Sequence, residues 1–303
     1  MKDALHELVG PLQVLVAVAE HEHVTRAAHA LGLQQPTVSR TLARVQDAVG
    51  VPLLVPDGRG VRLTAAGRAL ADVAARALAD LDRGIRAVRD DDSPTTGRIA
   101  LGFLHTLGAA AVPALVRAFR QDHPGVRFQL HQGAAGAVLD QLTVGEVDLV
   151  LTSPVPRRPG LACAALVDQP LVLAVPGDHP LGVPGPIALT AVADEEFVLF
   201  EPGYGLRETV EAMFAQAGIV PRIAFEGQDA HTLRGLVAAG LGVAVVPAAH
   251  PGTSEAFVGV VERPLQGPSS TRTLGLVWRD EPLPRVTAAF RDSVLARPHL
   301  LLP

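Results

Sequence analysis

A short stretch of this chain carries many side chains that can read the edges of DNA bases. A guanidinium can bind guanine O6 and N7 together, a glutamine amide can pair with adenine, and threonine can offer its methyl group to thymine. Between residues 35 and 44, six such side chains lie off an apolar stripe: Gln35, Thr37, Ser39, Arg40, Thr41 and Arg44. This pattern indicates contacts to base edges and phosphates.

Two short helices would position these side chains. The first, over residues 25–31, has a narrow face of small apolar residues formed by Ala27, Ala28 and Leu31. Gly32 follows where a helix end needs a left-handed residue, and Pro36 occupies a first turn that has no amide bond to lose. The second helix is marked by apolar residues three or four apart: Val38, Leu42, Val45 and Val49. The pair predicts a shape that fits the major groove.

A small wing and a local excess of positive charge accompany these helices. Asp57-Gly58 is a strong turn signal between the apolar segments 53–55 and 61–63, which predicts two short strands. Arg59 and Arg62 would lie at or near the tip and could reach phosphate. Residues 26–68 carry a net charge of +4, whereas the whole chain carries −5. Nucleic acid should therefore bind through this face alone, with an affinity that falls steeply with salt.

Four spaced blocks of sequence resemble a known DNA-binding unit. They are L-x-V-L-x-A-V-A-E from Leu12 to Glu20, T-R-A-A-x-x-L from Thr25 to Leu31, Q-P-T-V-S-R from Gln35 to Arg40, and L-T-A-A-G from Leu63 to Gly67. The first 65 or so residues thus resemble the winged helix-turn-helix of the LysR-type transcriptional regulators. Two departures are Gln34, where the family has a capping serine, and Leu53-Leu54-Val55-Pro56, where it has L-F-x-R. The predicted DNA contacts are Thr25, Arg26, Gln34, Gln35, Pro36, Thr37, Ser39, Arg40, Arg44, Arg59 and Arg62.

A long helix is predicted from Thr64, which can cap it, to about Arg89. Its apolar seam repeats every three or four residues: Ala74, Leu78, Leu81, Ile85 and Val88. Such a seam pairs helices, so two copies of the chain would present two reading heads one or two DNA turns apart. The alternative is that this helix packs on its own effector domain. The charged and proline-broken segment 91–97 then predicts a hinge.

Alternating strand and helix patterns fill the rest of the chain and predict mostly parallel sheets flanked by helices. A first crossing between two lobes is expected between Cys163 and Pro170, and a return crossing between Pro264 and Ser270. This half resembles the periplasmic-binding-protein-like effector domain of the same family. The matching pieces are G-E-V-D-L from Gly145 to Leu149, G-D-H-P-L from Gly177 to Leu181, and V-A-A-G-L-G-V-A-V-V-P from Val237 to Pro247.

The predicted fold class is α/β plus all-α. It comprises a winged helix-turn-helix over residues 1–63, a dimerisation helix over 64–90, a hinge over 91–97 and a two-lobed α/β effector domain over 98–303. Lobe I would contain residues 98–165 and 268–303, and lobe II residues 166–267.

Ligands of open α/β lobes bind where strands end and helices begin. The amides and helix dipoles there suit a small organic anion, and loops without lysine argue against a polyphosphate. In the family, the position of Thr106 commonly supplies a hydroxyl group to the ligand, whereas Ala134 replaces another hydroxyl. The predicted effector-binding residues are His105, Thr106, Gly133, Ala134, Thr152, Ser153, Phe200, Pro202, Tyr204, Gln228 and Asp229.

Composition and missing motifs narrow the function. The first residues and the lack of a long apolar run predict neither export nor a membrane span, and the single cysteine, Cys163, fits the cytoplasm and is expected to be buried. His21-Glu22-His23 is expected to cap a helix rather than bind metal. We expect no cofactor and no catalytic site. The expected partners are double-stranded DNA, a small effector and the chain itself, as a homodimer or homotetramer.

Three classes of function remain open at this stage. The first is a ligand-responsive transcription regulator, which accounts for every segment. The second is a transport-type binding protein, which the lobes alone would support but the basic helices and the missing export signal oppose. The third is an enzyme on a doubly wound fold, which would need His105, His131 and Asp229 to be hydrogen-bonded to one another.

Overall fold

The computed structural model describes residues 2–57, 60–90, 96–183, 185–249, 258–267 and 270–302. The chain forms two compact units, Met1–Arg89 and Asp90–Pro303. Within the ranges just given, no helix is both long enough and apolar enough to span a membrane.

The first unit is a helix-turn-helix with a wing and a long helix, as predicted. Its elements are α1 (Lys2–His21), α2 (Val24–Ala30), α3 (Gln35–Val49), β1 (Leu54–Asp57), β2 (Gly60–Leu63) and α4 (Ala65–Asp90). Gly32 adopts a φ of +64° in the turn between α2 and α3. The two strands pair antiparallel, with Leu54 opposite Leu63. Thr64 caps α4, because its Oγ1 accepts a hydrogen bond from the Gly67 amide at 2.9 Å.

A single apolar core holds these elements together. Leu15 of α1, Ala27 of α2 and Val38 and Val45 of α3 are fully buried in it, and α4 adds Ala71. The small side chain of Ala27 lets α1 and α3 approach α2 closely. The buried stripe of α3 therefore fixes which of its faces points to solvent.

The second unit alternates strands and helices around two apolar cores. Its elements are β3 (Thr96–Leu104), α5 (Ala111–Asp122), β4 (Gly125–Gly133), α6 (Ala135–Val144), β5 (Leu149–Thr152), β6 (Leu161–Pro176), β7 (Glu196–Phe200), α7 (Gly205–Ala217), β8 (Arg222–Gly227), α8 (Ala230–Ala238), β9 (Ala244–Pro247), β10 (Val260–Pro264), β11 (Thr271–Arg279) and α9 (Arg285–Ala296). One core is built from residues within 99–151 and 274–301, with a smaller separate cluster of Ala100, Val277 and residues within 138–150, and the other from residues within 171–265. We keep the names lobe I and lobe II for the parts around these two cores.

The sheets are mixed, which corrects the prediction of mostly parallel sheets. Strand β3 runs parallel to β4 and β5, and β7 runs parallel to β8. Strands β6 and β11 are antiparallel to each other and to the neighbours they pair with. The reason is that β6 is continuous from lobe I into lobe II, and β11 returns beside it in the opposite direction. The predicted first crossing is therefore the strand β6 itself.

Two further predictions, the hinge and the burial of Cys163, can be compared with the structure. Of the predicted hinge, residues 91–95 lie outside the described part, and Thr96 and Gly97 begin β3. Cys163 is exposed, so the prediction that it is buried was wrong. Cys163 lies in the first half of β6, which among the described strands pairs with β11 alone. The second half of β6 pairs with both β9 and β10, so the half that contains Cys163 has fewer neighbouring strands.

Candidate functional site

Helix α3 presents a row of polar side chains opposite its buried stripe. Gln34, Gln35, Pro36, Ser39, Arg40 and Arg44 are exposed, and Thr37 is half-buried. Gln35 Nε2 donates to Ser39 Oγ at 2.9 Å, and Arg40 Nε donates to the Pro36 carbonyl at 3.2 Å. Because this bond uses Nε, it leaves the two Nη groups of Arg40 for other contacts.

Other predicted DNA contacts surround this row. Thr25 and Arg26 are exposed on α2, and Arg26 Nη2 donates to the His21 carbonyl at 2.7 Å. Arg62 is exposed on β2, and Arg59 lies outside the described residues. Gln34 stands at the N-cap of α3 without a side-chain capping bond, as expected where serine is replaced. His23 caps α2 through Nδ1, which accepts from the Thr25 amide at 3.2 Å, so the prediction of a cap is confirmed.

A small cleft between lobes I and II gathers most of the predicted effector residues. Those that line it are His105, Thr106, Gly133, Ala134, Ser153, Phe200, Tyr204 and Gln228. Lining residues outside the predicted set are Leu104, Ala135, Gly205, Leu206 and Arg272. The cavity holds about 20 Å³, enough for one water molecule.

Three predicted effector residues are not among those that line this cavity. Thr152 is fully buried, and its Oγ1 has no hydrogen-bond partner among the described residues. Pro202 is exposed. Asp229 caps α8: its Oδ1 accepts from the amides of His231 and Thr232 at 2.9 Å each, and its Oδ2 from Thr232 Oγ1 at 2.6 Å.

The structure indicates a stability role for Asp229. Burial alone would raise the pKa of its carboxyl group, but the hydrogen bonds from Thr232 and His231 outweigh burial and lower the pKa below its ordinary value of 3.8. We expect Asp229→Ala to reduce the free energy of unfolding by about 1 kcal/mol at pH 7. The loss should shrink as the pH falls from 3.8 through the lower folded-state pKa, because the cap then becomes protonated in wild type.

Denaturant unfolding at a series of pH values measures this contribution, with the exposed Asp178→Ala as the matched control. A difference between Asp229→Ala and wild type that stays constant down to pH 3 would contradict a charged cap.

Arg272 lies at the base of the cleft and connects two crossing strands to lobe I. Its Nε donates to Gln169 Oε1 on β6 at 2.9 Å, and its Nη2 donates to Thr106 Oγ1 at 2.6 Å. Burial lowers the pKa of this guanidinium to about 9, so the group remains charged at neutral pH. The cleft therefore contains a buried cation.

The lobe II wall of the cleft has the opposite character. Tyr204 is flanked by Glu201 and Asp229, and Gln228 Nε2 donates to Glu201 Oε2 at 3.0 Å. Burial, together with these two carboxylates, raises the pKa of the Tyr204 phenol, so that it remains a hydrogen-bond donor at neutral pH. The rings of Tyr204 and His105 face each other across the cleft, with centroids 6.2 Å apart.

The two lobes also touch at a glycine. A Cβ atom on Gly205, the first residue of α7, would lie 2.6 Å from the Ser153 carbonyl oxygen and 2.8 Å from Pro154 Cδ. Ser153 and Pro154 directly follow β5 of lobe I, whereas α7 belongs to lobe II. The backbones of the two lobes thus approach each other closely at Gly205.

Comparison with known proteins decides the family. Residues 10–68 match the family model of the bacterial regulatory helix-turn-helix protein, lysR family, and residues 92–298 match that of the LysR substrate binding domain. The chain belongs to the LysR family. This LysR-type chain is 34% identical over 286 residues to the uncharacterized HTH-type transcriptional regulator YybE of Bacillus subtilis (strain 168), covering 94% of this chain and 97% of YybE.

Similar solved structures include two that were determined with a bound partner. Full-length CbnR complexed with its target DNA has a TM-score of 0.72 and 26% identity, covering 96% of this chain and 99% of the CbnR chain. The effector binding domain of QuiR in complex with shikimate has a TM-score of 0.62 and 28% identity, covering 67% of this chain and 98% of the QuiR chain. The protein is a LysR-type DNA-binding transcriptional regulator with an effector-binding domain.

Proposed function

We propose that this regulator reads its operator through α3 and the wing, and that a small organic anion in the cleft changes how it holds DNA. The observation that carries the first part is the exposed row Gln35, Ser39, Arg40 and Arg44 on a helix whose other face is locked in the core. Because that row has a fixed direction, several side chains can meet one groove together. Thr25, Arg26 and Arg62 then position the helix on phosphates.

The proposed assembly is a dimer paired through α4, or a tetramer built from such dimers. Ala74 of the predicted seam packs inward, whereas Leu81 is 50% exposed and Val73 nearby is 53% exposed. Exposed apolar side chains on one long helix favour pairing with a second copy. We divide the chain for this purpose into reading head 1–63, pairing helix 64–90, a hinge shortened to 91–95 because β3 begins at Thr96, and effector domain 96–303. We also place the protein in the cytoplasm and propose that it has no catalytic activity.

The effector part of the proposal rests on the cleft. The first turns of α6 and α7 lie at its wall, and neither helix has a side-chain capping bond, so their amides are available to an anion. Closure of lobes I and II on such a ligand would change the angle between paired reading heads and hence the bending of DNA.

Arg40→Ala tests the reading helix. We expect a loss of operator affinity of about 1 to 3 kcal/mol, or roughly 5- to 150-fold, because a bidentate base contact is removed. The measurement is a binding titration on the operator and on an unrelated fragment at physiological salt. The control is Arg98→Ala, which removes the same charge from an exposed position in the second unit. Equal operator affinities of Arg40→Ala and wild type would show that the reading helix is misassigned.

A further inference from the structure

Among the residues that the structure describes, the buried arginines are paired with carboxylates, with one exception. In the described part of the chain four arginines are almost fully buried: Arg207, Arg234, Arg272 and Arg279. The other three donate to a glutamate at 2.6 to 2.7 Å. Arg272 is 5% exposed and donates to two neutral acceptors, Gln169 and Thr106, without a carboxylate partner among the described residues.

An unneutralised buried charge is costly, and a fold retains one where something else supplies the opposite charge. Arg272 lines the cleft, so the missing charge can come from a ligand. Ala135 and Gly205, in the first turns of α6 and α7, line the same cavity, and these helix ends add partial positive charge. Residues from both lobes and from a crossing strand thus place positive charge around one cavity.

The opposite wall limits the rest of the ligand. Glu201 and Asp229 act on the Tyr204 phenol, and Gln228 is held by Glu201. Neither carboxylate lines the cavity, but their charge would repel a second carboxylate on the ligand and would not repel a hydroxyl or ammonium group. The cavity of about 20 Å³ has room for one water molecule, so even a small ligand requires lobes I and II to separate, and a bulky one requires a wider separation.

We propose that Arg272 is the anion-binding residue of the cleft and that the effector is a small monocarboxylate bearing a hydroxyl or amino group. On binding, the carboxylate replaces the Thr106 hydroxyl as partner of Nη2, while the bond to Gln169 keeps the guanidinium in place. Thr106 is then free to donate to the same ligand. This inference rests on the proposed effector role of the cleft and does not depend on how α3 reads DNA.

The test uses glycolate as the probe, glycolamide as its neutral counterpart and malonate as a dicarboxylate, each titrated calorimetrically into the full-length protein. We expect glycolate to bind roughly tenfold or more tightly than either of the others, because charge-assisted hydrogen bonds are about twice as strong as neutral ones and the rim repels a second charge. Arg272→Gln should lose that tenfold preference. Arg272→Lys should keep part of it, and the exposed Arg98→Gln should keep all of it.

Thermal unfolding separates a binding role from a structural one. Since Arg272 has no charged partner among the described residues, ligand-free Arg272→Gln should unfold within a few degrees of wild type, unlike a variant that breaks the Arg207–Glu226 pair. The proposal is overturned if glycolate does not bind wild type, if glycolamide binds equally well, or if Arg272→Gln retains the preference or unfolds far below wild type. Failure of operator recognition would instead appear as loss of specific DNA binding with the glycolate preference intact.

Discussion

Replacing Gly67 by alanine is expected to destabilise the reading head strongly. A Cβ atom at this position would lie 2.1 Å from the Leu53 carbonyl oxygen and 2.9 Å from Leu63 Cδ2. Neither neighbour can yield easily, because Thr64 fixes the start of α4: its amide donates to the same Leu53 oxygen at 3.0 Å and its hydroxyl to the Pro52 carbonyl at 2.9 Å. Overpacking typically costs about 1 to 3 kcal/mol, and we expect about 3 kcal/mol or more against backbone held in this way.

Two optical signals separate the units in this experiment. The only tryptophan and the only tyrosine, Trp278 and Tyr204, lie in the second unit, so their fluorescence reports on that unit. Far-ultraviolet circular dichroism reports on the helices of both units. Gly67→Ala should lose part of its helical signal at a lower denaturant concentration than wild type, whereas the tryptophan transition should remain unchanged.

Gly84→Ala is the matched control, since Gly84 lies on the same helix and a Cβ atom added there would have nothing within 4 Å. It should stabilise the protein by about 0.5 to 1 kcal/mol, because alanine favours the helix over glycine. If Gly67→Ala is as stable as wild type, α4 and the wing do not approach each other as closely as the structure indicates.

Gly205→Ala is expected to abolish most of the response to effector. Gly205 is not in the left-handed region, and alanine favours the helix that begins there, so the penalty comes from the contact with Ser153 and Pro154 alone. A Cβ atom 2.6 Å from a backbone oxygen must push lobes I and II apart. At about 1 to 3 kcal/mol for overpacking, the closed state should be disfavoured roughly 5- to 150-fold.

Small-angle scattering and operator titrations with and without effector measure this effect. The control is Gly136→Ala, in the first turn of α6, where an added Cβ has open space. Gly136→Ala should respond like wild type, and Gly205→Ala should show wild-type operator affinity without the effector-dependent change. A normal response from Gly205→Ala would mean that closure at this contact is not required.

Local patterns were enough to predict the reading head. The turn at Gly32, the cap at Thr64 and the buried stripe of α3 each depend on residues a few positions apart. The structure confirms them, except that Val49, the last residue of the predicted stripe, is 41% exposed. The pairing of strands that are distant in the chain was harder to predict from the sequence. The alternation of strands and helices suggested parallel sheets, but nothing near β6 indicates that β11 returns beside it. Strand β10, over Val260–Pro264, was not predicted, because its sequence V-V-E-R-P has two charged residues and a proline and shows neither an apolar run nor a clear alternation.

The residues of the cleft, too, could be predicted only where a local pattern marks them. Loops that follow strands pointed to Thr106, Ser153 and Tyr204, because the ends of parallel strands mark ligand sites. Arg272 begins a strand and meets Thr106 across 166 residues of chain, so no local motif could have indicated it. The signal that distinguishes it is burial without a carboxylate, which only the folded chain shows.

Recognition of a specific duplex by α3 is the central claim. Footprinting of the purified full-length protein on the DNA upstream of its own gene, beside an unrelated fragment and over a range of salt, tests it most directly. We predict a protected segment with two half-sites one or two turns apart, and an affinity that falls by about tenfold or more between roughly 50 and 200 mM salt. Equal binding to both fragments even in dilute buffer would contradict the claim.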